Sequence, residues 1–367
     1  MLFLLILCCA SAFLVSALLV RYGRRHTRHY GLSVPQRFHA GHVPRLGGAG
    51  MLAACSIGWA WMAVSERLAL PNQIRFDAWM ALSLWVVAAI SAAGGIYEDL
   101  TQRVRVRYRL LLTLLAAALA VWLMKLSVPR IDWPVIDAVW RLSPWPGILL
   151  AVLAITGLPH AFNLIDGYNG LAGLVALISC FALAYVALQV GDRELAAMVL
   201  VLAGATAGFL VWNYPRGLIF AGDGGAYLWG LVIAVASVML VNRHPQVSAW
   251  FPALLLIYPV WETVFSIYRK TTRGLSPGLA DALHFHQLVY RRIVRGVFHD
   301  DESRRMLMRN NRTSPYLWGF TVLTVFPAVL FWHTTWILMV FCGLFIVTYV
   351  WAYSSIVRFK VPRWLRG

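Results

Sequence analysis

Apolar residues occur along this chain in runs of about twenty, separated by shorter polar stretches that are rich in arginine. An α-helix needs about 20 apolar residues to cross the hydrocarbon core of a bilayer. The pattern predicts an all-α, polytopic transmembrane helical bundle with ten to eleven spans. The eleven candidate spans lie near residues 1–20, 47–65, 78–97, 109–126, 146–162, 171–190, 195–213, 225–242, 249–268, 316–332 and 334–354. The last two are so close that residues 332–335 must form a tight turn.

The first apolar run has two interpretations, a retained helix or a cleaved signal peptide. A signal peptide carries its positive charges before the apolar core. Here no basic residue precedes the run, whereas four arginines follow it within residues 21–28. This arrangement favours a retained first helix with its N-terminus outside the cell membrane.

Composition narrows the class of protein further. Hydrophobic residues make up 60% of the 367 residues and charged residues only 13%, against about 25% charged residues in an ordinary soluble domain. Soluble nucleic-acid-binding domains and secreted disulfide scaffolds are thereby excluded. The five cysteines all lie inside apolar runs without CxxC spacing, which predicts buried free thiols. We expect residues 1–367 to form a single integral membrane domain.

The net charge of +17 has a membrane explanation. When the loops are counted alternately, 25 of the 32 lysines and arginines fall on one side. Basic residues accumulate in cytoplasmic loops, so the N-terminus is predicted to be periplasmic and the C-terminus cytoplasmic. The main predicted cytoplasmic loops lie near residues 21–46, 98–109, 163–170, 214–224 and 269–315.

Acidic residues are few, and several lie on this predicted cytoplasmic side: Glu98, Asp99, Asp166, Asp223 and Asp281. A charged group within the membrane costs about 2.5–3.5 kcal/mol on insertion scales, so it persists when it has a partner. Carboxylates and amide carbonyls are oxygen ligands of the kind that Mg²⁺ or Mn²⁺ prefers. The alternative is that each acid caps a helix or pairs with a neighbouring arginine.

A second polar group is predicted on residues 281–296, which have the pattern of an amphipathic helix. His284 and His286 are two residues apart, so they share a direction only if the helix begins near them. Arg291 and Arg292 follow. One interpretation is a helix that lies on anionic lipid. The other is that the histidines and arginines bind a diphosphate.

Phosphoryl transfer depends on positioning and charge neutralisation. The predicted cytoplasmic side offers what this chemistry requires: acids for a divalent metal, glycine-rich loops and basic side chains. A reaction at this boundary would join a water-soluble diphosphate donor to a lipid acceptor.

Five motifs in these loops resemble the polyprenyl-phosphate N-acetylhexosamine-1-phosphate transferases, which are members of glycosyltransferase family 4. In chain order, the motifs are RFHAGHVPRLGG with His39 and Arg45, GGIYEDLTQRVRVRYRL with Glu98, Asp99, Arg107 and Arg109, HAFNLIDGYNGLAG with Asn163 and Asp166, NYPRGLIFAGDGGAYLWG with Asn213 and Asp223, and LHFHQLVYRR with His284, His286, Arg291 and Arg292.

The resemblance implies transfer of HexNAc-1-phosphate from a UDP-sugar to undecaprenyl phosphate, with release of UMP, at the bacterial inner membrane. It implies Mg²⁺, with Mn²⁺ as a substitute, held by Asp223 and Asp166. Glu98, Asp99 and Asp166 would be catalytic. The implied substrate-binding residues are Arg45, Arg107, Arg109, Asn163, Asn213, His284, His286, Arg291 and Arg292. Direct attack by the lipid phosphate is favoured over a covalent enzyme intermediate.

Three positions depart from the family pattern. Glu98 stands in place of a usual Asp, Asn169 in place of a frequent second Asp, and Gln287 in place of a His. These departures favour a branch outside the peptidoglycan enzymes, such as those that start O-antigen or capsule synthesis. The partners expected are undecaprenyl phosphate, UDP-N-acetylhexosamine and membrane lipids but no nucleic acid, and a homodimer is left open. A transporter or flippase for an anionic lipid or nucleotide sugar is the alternative from another functional class.

Overall fold

The computed structural model describes residues 1–23, 43–67, 77–276, 278 and 283–358, and this part of the chain is helical and contains no strand. His39 and Asp281 lie outside the described residues. The helices are α1 (Leu2–Tyr22), α2 (Gly47–Arg67), α3 (Ala78–Thr101), α4 (Val106–Met124), α5 (Pro134–Trp140), α6 (Trp145–Ile165), α7 (Leu171–Gln189), α8 (Arg193–Asn213), α9 (Gly222–Arg243), α10 (Trp250–Leu255), α11 (Ile257–Thr271), α12 (Phe285–Leu288), α13 (Glu302–Leu330) and α14 (Thr335–Val357).

Ten of the helices in the described ranges are long and apolar enough to cross a membrane. They are α1, α2, α3, α4, α6, α7, α8, α9, α13 and α14. The predicted all-α polytopic bundle is therefore confirmed, and the chain is a multi-pass membrane protein.

The candidate span near 249–268 is not one continuous helix, which corrects the sequence prediction. It is divided at Leu256 into α10 and α11. The cause is Pro259, which has no N–H to donate to the carbonyl of Leu255 and whose ring would collide with that carbonyl. The pair still crosses the bundle. Trp250 Nε1 donates to the carbonyl of Ile131 at one end, and Arg269 Nη1 donates to the carbonyl of Leu283 at the other.

Helix α13 begins at Glu302, whereas the sequence predicted a span starting near residue 316. The carboxylate of Asp301 caps it by accepting the backbone N–H groups of Ser303 and Arg304, at 2.7 and 3.1 Å. Its first turns therefore lie in the stretch that was predicted to be a soluble loop. The predicted tight turn after α13 is confirmed, since α14 starts at Thr335.

Helix α9 forms the centre of the bundle. Every residue from Gly222 to Val241 is buried, and α9 packs against α3, α6 and α2. By contrast, α1, α4 and α14 present large apolar side chains such as Leu14, Trp122 and Trp351 on the outside. A helix that is apolar all round belongs inside the bundle, and one with an exposed apolar face belongs against lipid.

The connections between helices collect at two ends of the bundle, as the alternating count predicts. At one end, Arg130 donates to the carbonyl of Val247 at 2.6 Å, and Asp132 accepts the N–H of Ala249 at 2.7 Å. At the other end, the loops before α2, α4, α7 and α9 meet. The assignment of the second end to the cytoplasm remains the prediction from charge.

Candidate active site

Asp99, near the end of α3, caps the start of α9. Its Oδ1 accepts the backbone N–H of Asp223 at 3.1 Å, and its Oδ2 accepts that of Gly224 at 3.0 Å. The first N–H groups of a helix have no partner within the helix, and the helix dipole favours a negative charge there. The alternative that an acid in these loops acts as a helix cap therefore holds for Asp99.

Asp223 is the meeting point of three other segments. Its Oδ1 accepts the side-chain amide of Asn163 at 2.9 Å and Arg45 Nη2 at 3.4 Å. Its Oδ2 pairs with Arg109 Nη1. Arg45 also reaches Asp99, with 3.3 Å between Nε and Oδ1. Residues from four predicted loops are thus brought into one carboxylate–arginine cluster, comprising Arg45, Asp99, Arg109, Asp166 and Asp223.

Backbone pairing fixes Arg45 over this cluster. The N–H groups of Gly47 and Gly48 donate to the carbonyls of Phe220 and Ala221, each at 2.9 Å, and Phe220 N–H donates to the carbonyl of Pro44. The segment before α2 is thereby joined to the segment before α9.

Gly222 adopts a φ of 70° directly before Asp223. A Cβ at this position would collide with the carboxylate of Asp99 and the carbonyl oxygen of Arg45. Only glycine gives the backbone both this conformation and this close approach.

Asp166 follows the last turn of α6 and lies within electrostatic reach of the other members of the cluster. Burial raises its pKa to about 7, Arg45 opposes the shift, and the charges of Asp99 and Asp223 reinforce it. Although part of the residue is exposed, its carboxyl is surrounded by protein and two other acids. A nearby cation would favour the ionised form of this carboxyl.

The donor set fits a divalent metal that is completed by substrate. Within the described ranges, no three His, Cys, Asp or Glu side chains form a ready metal-binding group. Mg²⁺ is typically bound through one or two carboxylates, with waters and substrate phosphates as the other ligands. Asp223 and Asp166 supply such oxygens, and the two arginines of the cluster face three carboxylates. The arrangement therefore suits a metal that arrives with a diphosphate.

Glu98 makes a different contact from its neighbour Asp99, so two of the acids expected to be catalytic do not share their hydrogen-bond partners. Its Oε2 accepts the backbone N–H of Val104 at 2.7 Å, and so closes the turn after α3. Consecutive helix residues point about 100° apart, so the two acids leave α3 in different directions, although the charge of Glu98 still acts on Arg109 of the cluster.

Two predicted substrate-binding residues lie on the same rim and make internal contacts. Asn213 Oδ1 accepts the N–H of Gly170 at 2.6 Å, and its Nδ2 donates to the carbonyl of Ile219 at 2.8 Å. Asn213 therefore joins the loops before α7 and α9. Arg107 is exposed and lies over the ring of Tyr108, outside the carboxylate–arginine cluster. The proposed contacts of both residues with substrate stay predictions.

The predicted helix over 281–296 is a short composite in its described part. It consists of α12, a π-helical turn at Val289–Ile293 and a 3₁₀ turn at Val294–Gly296. His284 precedes α12, so both histidines share a direction, and their rings stack with centroids 5.4 Å apart and planes 6° apart. His286 Nε2 lies 3.3 Å from the Cβ position of Gly167. The histidine pair is therefore adjacent to the Asp166 loop.

The two predicted arginines of this segment have different surroundings. Arg292 Nη1 donates to the carbonyls of Ile356 and Val357, at 2.7 and 2.6 Å, at the end of α14. Arg291 is exposed. Direct contact of Arg292 with a diphosphate would compete with these bonds, whereas the charge of Arg291 acts on Tyr168 and Tyr290.

Three side chains that the sequence did not single out support the cluster. His160 Nε2 lies 2.9 Å from the hydroxyl of Thr113, and its ring packs edge-on against Tyr227. Tyr227, one turn after Asp223, interacts with Arg109. The sequence signal for them was a polar side chain inside an apolar span, three or four residues from a predicted site residue: His160 from Asn163, Tyr227 from Asp223 and Thr113 from Arg109.

The loop that contains Asn169 is held from α13. Asn169 N–H donates to Asn310 Oδ1 at 2.8 Å, and its side-chain amide donates to Asn311 Oδ1 at 2.9 Å. Ser314 donates to the carbonyl of Asn169 at 2.7 Å. Asn169, which departs from the resembled pattern, thus has a structural partner set on a distant helix.

Comparison with known proteins agrees with this geometry. The family model of glycosyl transferase family 4 matches residues 81–241. That stretch contains Asp99, Arg109, Asn163, Asp166 and Asp223.

Three curated relatives illustrate the similarity. A probable undecaprenyl-phosphate N-acetylglucosaminyl 1-phosphate transferase of Bacillus subtilis is 33% identical over 39% of this chain and 40% of the relative. An undecaprenyl-phosphate alpha-N-acetylglucosaminyl 1-phosphate transferase of Thermotoga maritima is 29% identical over 54% of this chain and 58% of its own. A phospho-N-acetylmuramoyl-pentapeptide-transferase of Levilactobacillus brevis is 24% identical over 73% of this chain and 83% of its own.

The matched stretch thus spans about half the length of the first two relatives. Residues 81–241, which the family model matches, contain every member of the carboxylate–arginine cluster except Arg45. Residues 81–241 of the chain are thus similar to glycosyl transferase family 4.

Proposed function

We propose that the protein transfers HexNAc-1-phosphate from a UDP-sugar to undecaprenyl phosphate, or another polyprenyl phosphate, and releases UMP. The product would begin a lipid-linked surface polysaccharide at the cytoplasmic face of the bacterial inner membrane. The observation that carries the proposal is the carboxylate–arginine cluster at the start of α9. It combines oxygen ligands, two guanidinium groups and a helix N-terminus, all of which suit a diphosphate.

The proposed reaction is a direct displacement at phosphorus. An oxygen of the lipid phosphate forms a bond to the phosphorus that carries the sugar. The bond from that phosphorus to the bridging oxygen breaks, and UMP leaves with the bridging oxygen. Such a transfer depends mainly on alignment and on stabilising negative charge.

Arg45 and Arg109 would bind phosphate oxygens, because a guanidinium group presents paired donors to them. Both side chains are about four-fifths buried and already directed at one point by Asp99 and Asp223. Asn163 would keep Asp223 oriented through the amide contact.

Asp223 and Asp166 would hold Mg²⁺, or Mn²⁺ in its place. When bound, the ion would supply charge neutralisation at the diphosphate. Asp99 would hold the start of α9 and Arg45 in place. Together with Glu98, it is also proposed to engage the lipid phosphate.

The enzyme proposal has more support than the transporter alternative. Transporters place their substrate site near the middle of the membrane, between repeated halves. Here the carboxylate–arginine cluster lies at helix ends, on one side of the bundle. The departures at Glu98, Asn169 and Gln287 support a branch outside peptidoglycan synthesis.

The test is a transfer assay with purified full-length protein. The mixture contains undecaprenyl phosphate, Mg²⁺ and one of several UDP-N-acetylhexosamines labelled in the sugar. We expect label to enter the lipid with an equal amount of UMP. The reaction should stop with EDTA and resume with excess Mg²⁺ or Mn²⁺. Uptake of labelled sugar into liposomes without UMP release would instead indicate transport and overturn the proposal.

A further inference from the structure

Glu262 is a buried acid outside the carboxylate–arginine cluster. It lies on α11, beyond the break at Leu256, and only 1% of its surface is exposed. Two aromatic rings of its surroundings, Phe285 and Tyr349, lie 5.0 Å apart. Burial of a carboxylate among such groups is costly unless hydrogen bonds satisfy its oxygens.

The carboxylate accepts three donors from two other segments. Oε1 accepts the backbone N–H of Phe285 at 3.0 Å and lies 3.3 Å from His284 Nδ1. Oε2 accepts the hydroxyl of Tyr349 at 2.5 Å. Glu262 therefore joins α14 to the point at which the histidine segment begins.

This contact sets the tautomer of His284. A carboxylate can only accept a hydrogen bond, so Nδ1 of His284 must carry the proton. Nε2 is then the ring nitrogen that can accept a hydrogen bond. A carboxylate behind a functional imidazole fixes both the ring orientation and the tautomer in many sites.

The effect extends to the Asp166 loop through ring contacts. The His284 ring stacks on His286, and the His286 ring packs edge-on against Tyr168, with centroids 5.6 Å apart. Burial lowers the pKa of His286 to about 3, so this imidazole is neutral near pH 7. Its Nδ1 is buried without a hydrogen-bond partner in the part of the chain that is described.

We propose that Glu262 is a positioning residue for the transferase reaction, which acts by fixing the tautomer and orientation of His284 and, through the stacked rings, of His286 beside the Asp166 loop. The inference rests on the proposed function. It adds a residue that lies outside both the resembled motifs and the matched stretch 81–241. A role in packing alone would not require a carboxylate, because an apolar side chain could fill the same space.

The test compares Glu262→Gln with wild type in the transfer assay. Glutamine has nearly the same volume but lacks the charge and the second accepting oxygen. We expect kcat to fall about 10- to 100-fold, by analogy with the loss of hydrogen-bond partners of metal-binding histidines, and KM for undecaprenyl phosphate to change little. Glu302→Gln is the matched control, since Glu302 is on the surface, where its side chain is 78% exposed, and it should leave kcat unchanged.

A double-mutant cycle separates positioning from packing. If Glu262 acts through His284, adding Glu262→Gln to a His284→Ala protein should lower kcat by less than about threefold. A full additional loss would overturn the proposal. If Glu262→Gln does not fold, Glu262→Asp enters the same cycle, and its shorter carboxylate should give an intermediate loss that also disappears in the His284→Ala background.

A spectrum that does not depend on activity completes the test. The protein is labelled with ¹⁵N-histidine, and the NMR signal of His284 is assigned as the one that disappears in His284→Ala. In wild type this signal should have the chemical shift of a protonated Nδ1. Glu262→Gln should change that chemical shift. An unshifted signal, or an unprotonated Nδ1 in wild type, contradicts the proposal. Absence of lipid labelling by wild type would instead refute the proposed function, while the spectrum would still decide the role of Glu262.

Discussion

At the scale of single residues, Asp223 has the largest number of converging contacts. Asn163, Arg45 and Arg109 all reach its carboxylate, and its backbone N–H is held by Asp99. We expect Asp223→Asn to reduce UMP release by about 100-fold or more, the range seen when one charge-stabilising group is lost from an active site. Asparagine keeps the size and an accepting oxygen, so the protein should still fold in detergent, but with a lowered Tm because Arg45 and Arg109 lose the charge of their buried partner.

Asp77→Asn is the matched control for this variant. Asp77 is an exposed acid that caps α3, where it accepts the N–H of Trp79 at 3.1 Å, and it lies at the opposite end of α3 from Asp99 and the cluster. The control should retain full activity. Equal activity of Asp223→Asn and wild type would remove Asp223 from the reaction.

Glu98 can be tested for charge and for structure separately. Glu98→Gln keeps an oxygen that accepts the N–H of Val104 but removes the charge, whereas Glu98→Asp keeps the charge on a shorter side chain. We expect Glu98→Gln to lose more activity than Glu98→Asp in the transfer assay. If Glu98→Gln is as active as wild type, the role of Glu98 is limited to the hydrogen bond with Val104 that closes the turn after α3.

The residues of the cluster could be predicted because they are charged or polar groups within apolar surroundings and share motifs. The roles of Asn169 and Asn213 could not be predicted, because their partners Asn310 and Gly170 are brought close only by tertiary packing. For the same reason, the sequence did not point to Glu262, whose partners come from segments 23 and 87 residues away.

At the scale of secondary-structure elements, the close contact between α3 and α9 depends on Gly95. A Cβ at Gly95 would collide with the backbone of Asp223 and Gly224. We expect Gly95→Ala to displace the start of α9, to destabilise the protein by about 1–3 kcal/mol and to abolish transfer. Thermal unfolding in detergent and the transfer assay measure the two effects.

Gly157→Ala provides the comparison, because Gly157 lies within α6 with nothing within 4 Å of its Cβ position. Alanine is the better helix former by about 1 kcal/mol, so this variant should be at least as stable as wild type and fully active. Similar losses in both variants would show that the α3–α9 contact is not specific.

Helix α8 is joined to the end of α9 at the opposite end of the bundle. Asp192 caps α8 by accepting Leu195 N–H at 2.9 Å, and it also pairs with Arg243 and His244. Burial alone would raise the pKa of Asp192, but the hydrogen bonds from His244 and Leu195 and the charge of Arg243 lower it below its usual value.

We therefore expect Asp192→Ala to lose about 1–2 kcal/mol of stability, the usual cost of losing a cap, and Asp192→Asn to lose less. Because the folded pKa is lowered, the ionised group stabilises the protein above the unfolded pKa of about 3.9, and this contribution disappears as pH falls below it. The Tm difference between wild type and Asp192→Asn should shrink below about pH 4. A constant difference at all pH values would contradict the ion-pair explanation.

Hydropathy predicted where the membrane-spanning helices lie, but it did not predict the break at Leu256 or the start of α13. The break at Leu256 depends on Pro259 within an apolar run, where a proline can bend, break or be accommodated by a helix. The start of α13 at Glu302 lies in a polar stretch. Hydropathy shows membrane-spanning segments and not the polar continuation of a helix beyond the membrane.

At the scale of the whole molecule, the charge distribution predicts that the candidate active site faces the cytoplasm. Single cysteines at exposed positions can test this in a protein whose native cysteines have been replaced. Arg103→Cys lies at the end that contains Asp99, and Arg141→Cys follows α5 at the other end. We expect a membrane-impermeant maleimide to label Arg141→Cys in intact cells and Arg103→Cys only after cell disruption. The reverse pattern would invert the topology.

The bundle, its two ends and the carboxylate–arginine cluster could be anticipated because hydropathy, the alternation of loops and motif order act over the whole chain. The distribution of side-chain contacts within the cluster could not. Asp99 and Glu98 are neighbours in sequence, yet Asp99 caps α9 and Glu98 closes the turn after α3. Which acid faces α9 depends on how α3 is rotated about its axis in the folded bundle.

The enclosure of α9 has a further consequence for how the protein responds to its bilayer. A change in bilayer thickness acts on helices that touch lipid, which adjust by tilting or by moving their ends. Because α9 is surrounded by other helices from Gly222 to Val241, such adjustments fall on peripheral helices such as α1, α4 and α14. The backbone at the start of α9 is thereby shielded from lipid, so hydrophobic mismatch can reach the Asp223 carboxylate through its partner Arg109, which lies on the peripheral helix α4.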